Sequence, residues 1–162
     1  LLQQGAVRLR SDVERKRLHG LAPLDDSAAL GLDIYTSEAS RRTFAQLAAQ
    51  ARALLAAGYP VIVDAAFLRR RERDAFHALA RELGLPFAIL HCHADPDRLR
   101  ERVRQRRAAG GDPSEADLAV LARQQQQAEP LAPEEQERTL DLATDQAWDA
   151  PALYRRWLSV QA

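Results

Sequence analysis

The chain has 162 residues, of which 46% are hydrophobic and 28% are charged, a composition typical of one globular domain. Its 23 lysine and arginine residues balance its 23 aspartate and glutamate residues, which argues against bulk nucleic acid or a membrane surface as a partner. The single cysteine excludes an internal disulfide, and no apolar run approaches the roughly eighteen residues of a membrane span. We therefore expect a soluble cytoplasmic protein with a single domain over residues 1–162.

Short apolar runs alternate along the chain with stretches of helical periodicity. The first residues, LLQQ, are typical of a helix end, so we expect the chain to start within a structural unit. In chain order, the pattern predicts a strand at 6–9, a helix at 13–19, a turn-rich loop at about 20–36, a helix at 37–57, a strand at 61–63, a helix at 70–83, a strand at 87–92, helices that start at 97 and near 118, a strand at 138–145 and a helix at 150–160.

Two of the predicted strands, PVIV and FAILHC, are continuous apolar runs rather than alternating ones. Continuous runs are typical of strands that are covered on both faces, as in parallel sheets. The repeated order of strand, helix and strand predicts an α/β fold with helices on both faces of a mostly parallel sheet.

An aspartate follows each of two predicted strands: Asp12 comes after the first, and Asp64 ends the run VIVD. Ligands of parallel α/β sheets bind beyond the carboxyl ends of the strands, so both aspartates are candidate site residues. Asp12 also fits the cap of the following helix, which remains an alternative. For Asp64 we favour a function, because an aspartate that ends a buried strand costs desolvation unless a cation, a metal-bound water or donor groups compensate it.

Arg15 lies three residues after Asp12, so the two side chains share one face if this segment is helical. A carboxylate in that position can take a proton from an alcohol while the guanidinium holds an anionic group nearby. An ion pair within the helix is the alternative, and the spacing does not distinguish the two.

Arg98, Arg102 and Arg106 form a row along one face of a predicted helix that ends at a Gly-Gly break. Such a row suits a mobile lid over phosphates, because arginine binds phosphate bidentately. We therefore expect a helical lid at about residues 98–128. A solvated helix face is the alternative.

His91 and His93 point to the same side of a predicted strand, and Cys92 points to the opposite side. No third and fourth ligands at zinc-like spacing accompany them in the sequence, so the pattern does not predict a metal site.

The chain contains, in this order, the segments AVRLRSDVERKRL, GYPVIVDAAFLRRRERDAFHALARELG, FAILHCHADPDRLRERVRQRR and TLDLATD. Together they resemble the P-loop kinases of the polynucleotide kinase, gluconate kinase and zeta-toxin type. The resemblance covers nearly the whole chain and is greatest to an ATP-binding domain that bacteria often fuse to an aminoglycoside-phosphotransferase-like domain. It implies a P-loop kinase-like three-layer sandwich with a mostly parallel sheet and a helical lid.

The resemblance also implies roles for the candidate residues. In such kinases a D-x-x-R motif after the second strand supplies the general base and a substrate-binding arginine, and Asp12 and Arg15 match it. Asp64 matches an aspartate that assists magnesium or the acceptor, and either Arg102 or Arg106 matches the lid arginine that contacts ATP. ATP and Mg²⁺ are the implied cofactors. A hydroxyl of a small molecule or a nucleotide end is the implied acceptor, with the predicted loop at about 20–36 facing it.

One feature of these kinases, the phosphate-binding motif G-x-x-x-x-G-K-S/T, is absent from the 162 residues. That motif supplies the backbone cradle, the phosphate lysine and the magnesium hydroxyl. We favour the hypothesis that the chain is part of a longer kinase whose first strand and phosphate loop lie upstream, so that these residues alone are inactive. The alternative is a non-catalytic nucleotide-binding, regulatory or interaction domain that has lost the loop.

Overall fold

The computed structural model of the protein describes residues 5–160, so the predicted helix end at residues 1–4 lies outside it. The strands are β1 (Val7–Arg10), β2 (Val61–Asp64), β3 (Ile89–His93) and β4 (Thr139–Ala143). The helices are α1 (Ser11–Leu18), α2 (Ser37–Ala56), α3 (Arg70–Glu82), α4 (Pro96–Ala109), α5 (Leu118–Gln127), α6 (Pro133–Gln136) and α7 (Ala150–Val160). This order confirms the predicted α/β class, and the short helix α6 is an addition to it. Within residues 5–160, none of the helices is both long enough and apolar enough to cross a membrane.

The chain divides into two compact units. The first unit consists of the chain up to Phe67 together with Ala109–Ala116, and the second consists of Leu68–Ala108 together with the chain from Asp117 onward. The segment between α4 and α5 therefore belongs to the first unit, although α4 and α5 themselves lie mainly in the second.

All strand pairs of the described residues are parallel, as the continuous apolar runs predict. β1 pairs with β2 in the first unit, from Val7 opposite Val61 to Arg10 opposite Asp64. β3 pairs with β4 in the second unit. No strand pairing joins β2 to β3 within residues 5–160, so the described strands form two two-stranded sheets.

The core of the first unit forms where α2 packs against α1 and both strands. Thr36 caps the start of α2, since its Oγ1 accepts a hydrogen bond of 3.1 Å from the Ala39 amide. Gly58 ends the helix as predicted, because its φ of +86° is a conformation that glycine adopts without a Cβ clash. The buried apolar side chains of this unit are Leu9, Ile34, Ala39, Leu47 and Ala51.

In the second unit, α3 buries an apolar face, and a buried ion pair ties it to α6. Nε of Arg73 lies 2.6 Å from Oε1 of Glu135, and its Nη2 lies 3.0 Å from Oε2. This guanidinium lowers the pKa of the Glu135 carboxyl, since it stabilises the charged form. The buried apolar side chains of this unit are Phe76, Leu79, Ala80 and Leu140.

The expected burial of β3 on both faces is wrong for the described residues. Leu90 is 49% exposed, and His91, Cys92 and His93 are exposed as well. In the second unit β3 has a neighbouring strand on one edge, where β4 pairs with it, and α7 packs against β4. The apolar run therefore predicts the strand and its direction correctly but not its exposure.

Candidate functional site

Asp12 lies at the carboxyl end of β1, because α1 begins at the residue that follows the strand. It is the second residue of α1, and its carboxylate does not cap the helix. The cap position is Arg10, which makes no side-chain cap hydrogen bond. The capping alternative is therefore wrong, and the half-buried carboxylate is left for another role.

Arg15 is buried, and its guanidinium contacts the chain around the start of α2. Nη1 donates hydrogen bonds of 3.3 Å to the Ile34 carbonyl and 3.3 Å to Oγ of Ser40. The guanidinium carbon lies 5.1 Å from the centre of the Tyr35 ring, a cation–π distance. Nε of Arg15 is buried without a hydrogen-bond partner in the described part of the chain.

Tyr35 connects the two members of the D-x-x-R motif. Its hydroxyl donates to Oδ1 of Asp12 at 3.4 Å and accepts a hydrogen bond of 3.2 Å from the Glu115 amide, while its ring contacts Arg15. Burial, together with the negative charge of Asp12, raises the pKa of Tyr35 to about 12. The phenol therefore remains a hydrogen-bond donor at any physiological pH.

Glu115 holds this arrangement from the segment between α4 and α5. Its Oε1 lies 2.8 Å from Nζ of Lys16 and accepts a hydrogen bond of 2.9 Å from the Ser27 amide, and the Ser27 hydroxyl donates to Oε2. Burial acts to raise the pKa of the Glu115 carboxyl, but the hydrogen bonds from Lys16 and Ser27 outweigh it and lower that pKa. We call Glu115, Lys16 and Ser27 the Glu115 clasp.

Asp64 ends β2 as predicted, but arginines of the neighbouring strand compensate its charge. Nε of Arg8 donates to Oδ2 of Asp64 at 3.0 Å, and Nη2 of Arg8 donates to the same oxygen. Nε of Arg10 lies 3.7 Å from that oxygen. The Asp64 side chain is 41% exposed, so it avoids the desolvation expected for an aspartate at a buried strand end, and the two arginines compensate its charge.

The backbone that leaves β2 contains a conformation that side chains rarely adopt. Phe67 has a φ of +46°, in the left-handed region, at a cost of about 1–3 kcal/mol for a residue that is not glycine. Its ring lies 5.3 Å from the ring of Phe44 on α2. This packing holds the segment that follows Asp64 in one conformation.

Arg102 and Arg106 lie on α4 in the second unit. Nη1 of Arg102 donates to Oγ1 of Thr144 at 2.7 Å, and Nη2 donates to the Thr144 carbonyl at 2.8 Å. Arg102 and Thr144 line an open cleft of about 270 Å³ between α4 and the chain that follows β4. Arg106 is half-buried and lies one helical turn further along.

The two histidines of β3 share one carboxylate on the neighbouring strand. Nδ1 of His91 lies 2.7 Å from Oδ1 of Asp141, and Nε2 of His93 lies 2.8 Å from Oδ2. The hydrogen bonds of His91 and then of His93 lower the pKa of Asp141. Both rings lie on one side of the strand, as predicted, and residues 5–160 contain no group of three or more side chains suited to hold a metal ion.

The sequence analysis missed Tyr35, Glu115 and the role of Lys16. Glu115 is 88 positions from Ser27 and 80 from Tyr35, so no local spacing could have paired these residues. The one available signal was the long turn-rich loop at about 20–36, which contains Ser27 and Tyr35.

Comparisons with known proteins agree with the observed fold. The family model described as "AAA domain" matches residues 1–131. Among solved structures, a gluconokinase from Sinorhizobium meliloti 1021 is 18% identical with a TM-score of 0.59, covering 99% of this chain and 77% of that one. An unliganded sugar kinase from Janibacter sp. HTCC2649 is 22% identical with a TM-score of 0.64, covering 96% and 81%. No curated protein matches the chain.

Proposed function

Because this chain belongs to the AAA domain family, and its fold matches that of two kinases, we propose that it carries the acceptor side of an ATP-dependent phosphotransferase. The acceptor is a hydroxyl of a small molecule or of a nucleotide end. The observation that carries this proposal is the arrangement of Asp12 and Arg15 around Tyr35 at the carboxyl end of β1. That edge of a parallel sheet is where α/β proteins bind their ligands.

Asp12 is proposed as the general base. Tyr35 donates a hydrogen bond to one of its carboxylate oxygens, Oδ1, and so restrains the side chain. In the reaction, the acceptor oxygen forms a bond to the γ-phosphorus, its proton passes to Asp12, and the bond between that phosphorus and the bridging oxygen of ADP breaks. Arg15 contacts the same tyrosine as this carboxylate and is proposed to hold the acceptor, since its Nε has no hydrogen-bond partner among the described residues.

ATP supplies the phosphoryl group and Mg²⁺ neutralises its charge. The described residues fit the acceptor half of such a site better than the phosphate half. Arg8 and Arg10 already neutralise Asp64, so we assign Asp64 to ordering the polar network at the end of β2 rather than to direct metal binding. A glycine-rich loop outside residues 1–162 is proposed to bind the phosphates.

The segment at about residues 98–128, which contains α4 and α5, is proposed as the lid. Either Arg102 or Arg106 is proposed to make the phosphate contact; both Nη atoms of Arg102 donate to Thr144 in this structure. In this proposal the lid arginine neutralises the charge that spreads over the transferred phosphoryl group. We also propose that the protein is cytoplasmic, where ATP is present. A fused phosphotransferase-like domain is proposed as its partner.

The test is a phosphotransfer assay on the full-length protein with Mg²⁺ and γ-labelled ATP. The acceptor panel contains sugars, sugar acids, nucleosides and an oligonucleotide with a free 5′ hydroxyl, the first two because the matched structures are a gluconokinase and a sugar kinase. We expect label on one class of hydroxyl, with equal amounts of ADP. Binding of ATP without transfer to any acceptor would contradict the kinase and favour the non-catalytic regulatory domain.

A further inference from the structure

The loop between α1 and α2 is held closed by a segment from far along the chain. Lys16 lies near the end of α1 and is buried, with its side chain only 2% exposed. Its ammonium contacts three oxygens: the Pro23 carbonyl at 3.1 Å, the Asp25 carbonyl at 2.6 Å and Oε1 of Glu115 at 2.8 Å. An ammonium group has three donors, so these acceptors use all of them. Lys16 is therefore committed to the loop and is not a ligand for phosphate.

The carboxylate of Glu115 is bound on both oxygens. Lys16 and the Ser27 amide approach Oε1, and the Ser27 hydroxyl donates to Oε2. Glu115 thus restrains the first part of the loop through Lys16 and the middle of the loop through Ser27. The partners are charged or strongly polar and largely excluded from water, which makes the hydrogen bonds stronger than exposed ones.

The backbone of Glu115 reaches the end of the same loop. Its amide donates to the hydroxyl of Tyr35 at 3.2 Å, and this hydroxyl donates to Oδ1 of Asp12 at 3.4 Å. The Tyr35 ring lies against the Arg15 guanidinium. A chain of contacts therefore runs from the Glu115 clasp through Tyr35 to both members of the D-x-x-R motif.

We propose that Tyr35 is a positioning residue that orients Asp12 and Arg15 toward the acceptor, and that the Glu115 clasp holds Tyr35 in place. The proposal rests on the proposed function for its catalytic meaning. Tyr35 does not exchange a proton with the acceptor in this scheme. It fixes the direction of the base through its hydroxyl and the direction of the substrate arginine through its ring.

The first experiment separates these two contacts of Tyr35 by kinetics of the full-length protein. Tyr35→Phe keeps the ring and removes the hydroxyl, so kcat falls about tenfold, as for one lost hydrogen bond, while KM for the acceptor stays within about twofold. Tyr35→Leu also removes the ring, so KM for the acceptor rises as well. Tyr59→Phe is the matched control, because Tyr59 is exposed, and it leaves both constants unchanged. An unchanged kcat for Tyr35→Phe would overturn the proposal.

The second experiment does not depend on activity. Amide hydrogen exchange is measured for residues 20–36 and for the Glu115 amide in the parent, Tyr35→Phe and Glu115→Gln. We expect the Glu115 amide to exchange about tenfold faster in Tyr35→Phe, since its acceptor is lost, and the loop to exchange faster in Glu115→Gln. Glu137→Gln, at an exposed glutamate, is the control and shows the parent's rates. Exchange rates equal to the parent's in both Tyr35→Phe and Glu115→Gln would overturn the proposal that the Glu115 clasp holds Tyr35 in place.

The two experiments together distinguish this proposal from the proposed function. If the parent transfers no phosphate to any acceptor, the proposed function fails first. Faster exchange in the variants of such an inactive parent would establish the clasp as a structural device and overturn its catalytic assignment. Transfer by the parent, with a tenfold loss of kcat in Tyr35→Phe and faster exchange, supports both.

Discussion

Lys16 and Glu115 form an ion pair in which Nζ and Oε1 are 2.8 Å apart and the lysine side chain is almost fully buried. The pair joins the end of α1 to the segment between α4 and α5, within one compact unit. Loop residues supply the remaining hydrogen bonds of both groups. The pair thus fixes the loop that carries Tyr35, and its charges are satisfied only while that loop is closed.

Removal of the buried ammonium is expected to destabilise the protein strongly. Lys16→Met leaves the Glu115 carboxylate without its charged partner in a mostly buried position, and the free energy of unfolding falls by about 3–5 kcal/mol. Urea denaturation measures this change. Asp141→Asn is the control, since its pairs with His91 and His93 are exposed, and it changes the free energy by less than about 1 kcal/mol. Equal losses in the two variants would contradict the burial argument.

The same carboxylate predicts a loss of stability in acid. The folded state holds the pKa of Glu115 below its ordinary value of 4.5, so its contribution is present above pH 4.5 and is lost as pH falls through the folded value. Glu115→Gln removes this contribution. We expect the difference in free energy of unfolding between parent and variant to shrink as the pH is lowered below 4.5, measured by urea denaturation. A difference that stays constant with pH would show that Glu115 does not titrate as described.

The buried phenol of Tyr35 predicts that the protein also loses stability at alkaline pH. The pKa of Tyr35 is raised from 10.0 to about 12, so between these values the unfolded chain loses the proton while the folded one retains it. The free energy of unfolding then falls by about 1.4 kcal/mol per pH unit from this residue. Tyr35→Phe lacks this dependence. Its stability curve above pH 10.0 should therefore be flatter than the parent's in parallel denaturation series.

Asp12→Asn tests the general base. The amide has nearly the same shape but cannot accept the acceptor's proton, so we expect kcat to fall about a hundredfold to ten-thousandfold. The affinity for Mg²⁺-ATP, measured by isothermal titration of the full-length protein, is expected to stay at the parent value. Near-normal turnover of the variant would remove Asp12 from the role of base.

The lid arginine, whether Arg102 or Arg106, is expected to act on the transition state. Its replacement by alanine is expected to lower kcat on the order of a thousandfold with little change in ATP affinity, because the charge it neutralises develops in the transition state. Arg102→Ala also removes the hydrogen bonds to Thr144. Steady-state kinetics on both variants compares them directly. A rate for Arg106→Ala equal to the parent's would assign that arginine to a solvated helix face.

Much of the secondary structure followed from local pattern. The apolar spacing of α2 and the stop at Gly58 were predicted within a residue, and the direction of the strand pairs followed from continuous apolar runs. The exposure of Leu90 did not follow, because burial depends on which layers pack over a strand and not on the strand's own residues.

The sequence by itself determined where the candidate residues lie along the chain. Asp64 ends β2, Asp12 follows β1 at the start of α1, and Arg15 shares that helix with Asp12, because hydrophobic periodicity and helix-start signals act over a few residues. Only the tertiary structure decided what these side chains touch. Tyr35 reaches Asp12 across 23 positions and Glu115 reaches Ser27 across 88, and such pairs form because the folded path of the backbone brings distant donors and acceptors within hydrogen-bond distance.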